Sequence, residues 1–144
     1  EKLNRRNLPI CVDSLENSLT DIAGVRVICP FPDDIYNVAE LLTNQDDVIT
    51  VARKDYIKNP KKNGYRSLHL IIEIPIFLAS GKKNMKVEVQ LRTIAMDFWA
   101  SLDHKLRYKQ NLKNSEEIAL ELRECADIIA GVDLKMQNIR KKIQ

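Results

Sequence analysis

Between Met85 and Arg92 the side chains alternate without a break: Met85, Val87, Val89 and Leu91 are apolar, while Lys86, Glu88, Gln90 and Arg92 are polar or charged. A period of two is that of a β-strand, whose successive side chains leave opposite faces. One face must line a core and the other must stay polar, and a one-residue slip in pairing would exchange them. The chain is therefore committed to a sheet with an apolar side and a polar side. Mixed charges on an outer face need no more than solvation; a binding surface is the sharper alternative.

The remaining segments supply that sheet with partners. Ile22 to Cys29 is β-branched and apolar enough for a buried strand, closed by Pro30-Phe31-Pro32. Val48 to Tyr56 reads as another strand and Ser67 to Ile76 as a third, with Leu68, Leu70, Ile72 and Ile74 on one face and Ser67, His69, Ile71 and Glu73 on the other. Ser80 to Asn84 is expected to turn the chain. Pro32-Asp33-Asp34 starts a helix with the stripe Ile35, Val38, Leu41, Leu42. Thr93 caps another, in which Ala95, Phe98, Trp99, Leu102 and Leu106 are expected to face the core and Asp97, Ser101, His104 and Tyr108 to lie on a different face. Asp13-Ser14-Leu15-Glu16 supplies the start of a short helix, with Asp13 as N-cap and Glu16 at the third helical position. From Asn114, which with Glu117 resembles a capping box, the chain is helical to its end. There Ile118, Leu122, Cys125, Ile129, Val132, Met136, Ile139 and Ile143 recur every four and three residues, past a Gly131 that invites a kink. Such a seam suits a partner helix, so self-association is expected, with packing back onto the sheet as the alternative.

At 144 residues the chain suits one domain. Its 23 basic and 20 acidic residues nearly balance, at +3, so positive charge must be local. It is concentrated from Arg53 to His69, where six lysines and arginines face one carboxylate, Asp55, beside Pro60 and Asn63-Gly64. That density marks a mobile loop that an anion must neutralise, and Tyr65 offers a ring on which a base could stack. A solvated basic loop is the bland reading. Three widely spaced cysteines, Cys11, Cys29 and Cys125, read as buried thiols of a reducing cytoplasm, and two histidines argue against zinc. No apolar run approaches the ~20 residues of a membrane span and no signal peptide opens the chain, so a soluble cytoplasmic protein is expected.

Chemistry is expected where these features meet. Asp21 sits at the mouth of the first strand, and Glu88 lies on the polar face of the alternating one. If the two converge they can hold Mg²⁺, which binds through one or two carboxylates plus waters. Asp21 and Arg26 fall on opposite faces unless Gly24 bulges or Asp21 belongs to the preceding loop. Arg26 suits either a functional role or a buried ion pair, and His69 either a satisfied structural role or a site beside Tyr65. Asp97 can serve its helix dipole, or accept the adjacent N1–H and amino donors of guanine.

Together, Asp21-Ile22-Ala23-Gly24-Val25-Arg26-Val27, Lys54-Asp55-Tyr56-Ile57 with Pro60-Lys61, Asn63-Gly64-Tyr65-Arg66-Ser67-Leu68-His69, Glu88-Val89-Gln90-Leu91-Arg92-Thr93 and Phe98 to Lys105 resemble the synthetase domain of the RelA/SpoT family. The long last helix resembles that of its small, single-domain alarmone synthetases of the RelQ type. The resemblance implies an α+β fold, a nucleotidyltransferase-like mixed β-sheet flanked by helices, with a core over 1–110 and a helical oligomerisation segment over 111–144 in a homotetramer. It implies transfer of pyrophosphate from ATP to the ribose 3′-hydroxyl of GTP or GDP in the stringent response, giving (p)ppGpp and AMP. By that resemblance Asp21 and Glu88 would bind Mg²⁺, with Glu88 taking the hydroxyl proton. Tyr65 would stack on guanine and Asp97 read its edge. Lys54, Lys61, Asn63 and His69, with Gln90 nearby, would hold the acceptor's ribose and phosphates, and Arg26 would stack on adenine. Family members carry a basic Gly-Arg-x-Lys donor clamp upstream of the segment matching Glu1-Lys2-Leu3; either a longer chain supplies it or Arg26 alone holds the donor. Two other readings use the same residues: a module that binds guanine nucleotides or the alarmone without making it, and a single-stranded RNA binder.

Overall fold

A computed structural model describes residues 23–107 and 113–144; the short helix expected to start at Asp13, together with Cys11, Asp21 and Tyr108, lies outside the described residues. Strands β1 (Ala23–Cys29), β2 (Ile49–Asp55), β3 (Leu68–Leu78) and β4 (Gly81–Thr93) form one sheet in the order β1-β4-β3-β2. β1 runs parallel to β4, while β4–β3 and β3–β2 are antiparallel, so the sheet is mixed, as expected. A parallel pair needs a crossover, and the chain between β1 and β4 provides it.

The alternation of β4 sets the core side from Val87 to Leu91, while Met85 is only half-buried and Arg92, on the polar side, is buried as well. Val87, Val89 and Leu91 lie on the same side as Leu68, Leu70 and Ile72 of β3, and helix α1 (Pro32–Thr43) sets Ile35 and Ala39 against them. Fully burying each large aliphatic side chain contributes about 1.5–3 kcal/mol. Leu41, expected on the same stripe, is 72% exposed. At 100° per residue it points about 120° away from Ile35, whereas Ala39 points within about 40° of it. The β3–β4 connection is also tighter than expected. Leu78 pairs with Gly81, so only Ala79 and Ser80 form the loop and Gly81–Asn84 belong to β4. Gly81 has φ +123°, a conformation that favours glycine at such a turn.

Helix α2 (Ile94–Arg107) begins as expected, with Met96 N–H donating to Thr93 Oγ1 at 3.1 Å. It buries Met96 and Trp99, but Phe98, Leu102 and Leu106, expected in the core, are exposed. Helix α3 (Ser115–Ile143) runs its 29 residues through Gly131 without interruption, and Asn114 makes no side-chain capping bond. The residues it buries are Ala126, Asp133 and Gln137, a line of small and polar side chains. Gln137 Oε1 accepts the Asp33 N–H at 2.7 Å, one of the donors that a helix N-terminus leaves open. Arg140 pairs with Asp34 at 2.9 Å and lies over the Phe31 ring, while Trp99 Nε1 donates to the Leu122 carbonyl at 2.7 Å. α3 is thus a strut across α2 and the start of α1. Most of the apolar seam is turned away: Val132, Met136, Ile139 and Ile143 are exposed, as is the Cys125 thiol, whereas Cys29 is buried as expected. Burial pushes the Cys29 thiol upward, with Asp34 adding to the effect, so it is an inert core thiol.

Candidate functional site

The polar face of the sheet carries the site because register aligns it. Arg26 of β1 pairs with Gln90 of β4, Gln90 with His69 of β3, and His69 with Lys54 of β2. Paired residues project from the same face, so four residues from distant parts of the chain form one row. Glu88 stands one step along β4, between Gly24 and Ile71, and its Oε1 accepts from Gln90 Nε2 at 3.1 Å. β1 pairs continuously from Ala23 to Cys29, so Gly24 does not bulge; the irregularity lies in β2, between Thr50 and Ala52. Among the described residues, a Cβ added at Gly24, the β1 partner of Glu88, would meet nothing within 4 Å. A hard oxygen donor such as the Glu88 carboxylate suits Mg²⁺, which keeps several waters and needs few protein ligands. Among the described residues there is no cluster of three or more His, Cys, Asp or Glu able to hold a metal.

The basic loop between β2 and β3 is built from two tight turns rather than a loose excursion. Asp55 Oδ1 accepts the N–H groups of Ile57 and Lys58 at 2.9 and 3.0 Å, and Asp55 Oδ2 accepts the Tyr36 hydroxyl at 2.8 Å. Burial acts to raise Asp55, yet the donors from Lys58, Tyr36 and Ile57 outweigh it and hold the carboxyl below its usual range. Burial foremost, with the bond to Asp55, pushes the Tyr36 phenol upward. In the second turn Gly64 N–H donates to the Lys61 carbonyl at 2.8 Å, and Asn63 Oδ1 accepts Tyr65 N–H at 3.0 Å. Asn63, expected at the ribose, thus also shapes the turn.

Tyr65 sits at the junction of loop and sheet. Its ring meets those of Tyr56 and His69 edge to face, with centroids 6.2 and 5.7 Å away, and Lys61 Nζ stands 5.1 Å from its centre. Arg92 Nη2 donates to the Tyr65 hydroxyl at 2.7 Å, and the same hydroxyl lies 2.9 Å from His69 Nε2. Arginine can only donate, so the phenolic proton is available to His69, which then accepts as a neutral imidazole. The electrostatics agree. Burial lowers the His69 pKa and outweighs Glu88, which raises it, while Lys61, Arg92 and Lys54 depress it further.

Arg92 also reaches Asp97 Oδ1 at 3.2 Å, and Arg26 Nη1 approaches that oxygen at 3.8 Å. Tyr65, Arg92, Arg26, Ser101 and His104 line an open cleft of about 550 Å³. The Arg26 side chain is 54% exposed, which sets aside the buried ion pair. Arg92 and Tyr56 had no assigned role in the sequence. Arg92 shares the alternation of Glu88 and Gln90, but only the packing of α2 reveals that it is buried and joined to Tyr65 and Asp97. Lys54, Tyr65, His69, Gln90, Glu88, Arg26 and Asp97 are thus brought to one face with Lys61 at its rim, while Asp21 lies outside the described residues.

The comparisons with known proteins agree with this geometry. The model of the region found in RelA/SpoT proteins matches residues 1–113. The chain is 49% identical over 142 residues to the GTP pyrophosphokinase YwaC of Bacillus subtilis, covering 99% of this chain and 68% of that protein. It superposes on the small alarmone synthetase 2 of B. subtilis with a TM-score of 0.80 and 48% identity, over 98% of this chain and 73% of the other. For the small alarmone synthetase 1 of B. subtilis bound to its product pppGpp the TM-score is 0.79 at 38% identity, over 99% and 72% of the two chains.

Proposed function

The chain belongs to the RelA/SpoT family, and from that premise we propose that it is a GTP pyrophosphokinase of the small alarmone synthetase kind. The 3′-hydroxyl of GTP or GDP attacks the β-phosphorus of ATP, the α–β anhydride breaks, and AMP leaves. The observation that carries this reading is the cross-strand row Arg26–Gln90–His69–Lys54 with Glu88 beside it and Tyr65 at its edge. Phosphoryl-type transfer asks for positioning and charge neutralisation more than covalent help, and this face offers cations around the carboxylates of Glu88 and Asp97.

Each residue has a task in that chemistry. Tyr65 stacks on guanine and Asp97 accepts from its edge; Lys54, Lys61, Asn63, His69 and Gln90 hold the acceptor's ribose and phosphates. Arg26 stacks on the adenine of ATP from the outer strand. Glu88 takes the proton from the attacking hydroxyl. Glu88 and Asp21 would hold Mg²⁺, whose charge, when bound, offsets that of the triphosphate. The exposed apolar positions of α3 serve association of copies into a homotetramer in the cytoplasm.

The test follows label from β-labelled ATP into a 3′-pyrophosphorylated guanosine in the presence of GTP and Mg²⁺. Glu88→Gln is expected to abolish transfer while GTP still binds. Undiminished turnover in that variant would remove Glu88 from the reaction.

A further inference from the structure

We propose that α3 is the support that holds the acceptor loop in its binding shape, with Arg123 and Asp127 as positioning residues for guanine-nucleotide binding; this rests on the loop being the acceptor site. The loop is tied to α3 on both sides of Tyr65. Before it, Arg123 Nη1 donates to the Lys62 carbonyl at 2.6 Å. After it, Arg66 donates through Nη1 to the Ala126 carbonyl at 3.0 Å and through Nη2 to Asp127 Oδ1 at 2.9 Å. Between the two, Gly64 adopts φ +101° and lies so near the helix that an added Cβ would stand 2.8 Å from the Ala126 Cβ. Only glycine permits both that conformation and that approach.

These ties span about 60 residues of sequence and touch none of the side chains that face the nucleotide. Their effect is on conformation. Lys61, Lys62 and Arg66 repel one another, and an untethered loop would spread over many shapes that a nucleotide must then restrict. Holding the backbone at Lys62 and the side chain of Arg66 confines the ring of Tyr65 between them before the ligand arrives, and a pre-ordered site binds more tightly because less ordering remains to be done. The helix that bears the apolar seam therefore also completes the acceptor site of its own protomer.

The experiment titrates GDP into the full chain by calorimetry and compares an Arg123→Ala/Asp127→Ala double variant. Loss of two ties is expected to weaken GDP binding about three- to tenfold. Amide hydrogen exchange over residues 62–66 is expected to accelerate, and Arg123→Lys to retain most of the affinity. Lys141→Ala, which removes a pair with Asp33 at the far end of α3, is expected to leave GDP binding unchanged. Unaltered affinity and exchange in the folded double variant would overturn the clamp alone, as would an equal loss in Lys141→Ala, which would indicate general loosening of the helix. A wild-type chain that binds no GDP would overturn the acceptor reading of the loop and the clamp with it.

Discussion

At the scale of single residues the most informative group is the Tyr65 hydroxyl, held between a buried arginine and a neutral histidine. Protonating His69 would give it only donors and take away the acceptor for the phenolic proton. Its pKa in the folded chain is depressed below the ordinary 6.5, with burial the leading cause. The unfolded chain therefore binds the proton more readily. The stability this group contributes is fully present above pH 6.5 and is lost as pH falls through the folded value. Wild-type melting temperature is expected to drop between pH 7.5 and 5.5 by more than that of His69→Gln; parallel melting curves would show that His69 is not held neutral. The residue types of this site were legible in the sequence, because a tyrosine after a basic turn and a histidine on a polar strand face carry recognisable chemistry. Their mutual bonds were not, because Arg92 approaches Tyr65 across 27 positions of sequence.

At the scale of elements, the start of α2 is the junction where sheet, helix and strut meet. Thr93 ends β4, caps α2 through Oγ1 and donates its hydroxyl to Asp133 Oδ2 of α3 at 2.6 Å. Burial raises the Asp133 pKa, only partly offset by the bond from Thr93. A carboxyl raised on folding stabilises the fold at low pH, and that contribution is lost as pH rises through the folded value. At pH 7.5 the charged form is therefore the costly one. Asp133→Asn keeps an acceptor for Thr93 without the charge, and its denaturation midpoint at pH 7.5 is expected to equal or exceed that of wild type. Asp133→Ala leaves the hydroxyl without its partner and is expected to cost about 1–2 kcal/mol. A destabilised Asn variant would mean that the charge itself is needed.

At the scale of the whole molecule, an apolar trough of about 470 Å³ runs between α2 and α3, lined by Phe98, Ile94, Val132 and Met136 among others. Phe98 is 57% exposed and Val132 54%, far from where isolated large side chains settle when a core can take them. Exposed apolar stretches of this kind mark association surfaces. In the proposed homo-oligomer, Val132→Glu/Met136→Glu is expected to shift the protein to smaller species in sedimentation velocity while the monomer stays folded. An unchanged sedimentation coefficient would place the contact elsewhere. Among the described residues no helix is long and apolar enough to cross a membrane.

Side-chain periodicity, a local property, was sufficient to read the individual strands and the polar face of β4, because the strand period is fixed by backbone geometry, and residue type alone read the cap at Thr93. The alternation from Met85 to Arg92 placed Glu88, Gln90 and Arg92 together before any neighbour was known. The heptad-like seam of α3 was legible too, but not its orientation. Only the tertiary structure decided that Ala126, Asp133 and Gln137 face inward. Hydrogen bonds to Thr93 and to the N-terminus of α1 hold that polar line against the fold, and such bonds leave no trace in hydropathy. The alignment of Arg26, Gln90, His69 and Lys54 likewise depends on strand order and register, which nonlocal pairing sets and no single segment encodes.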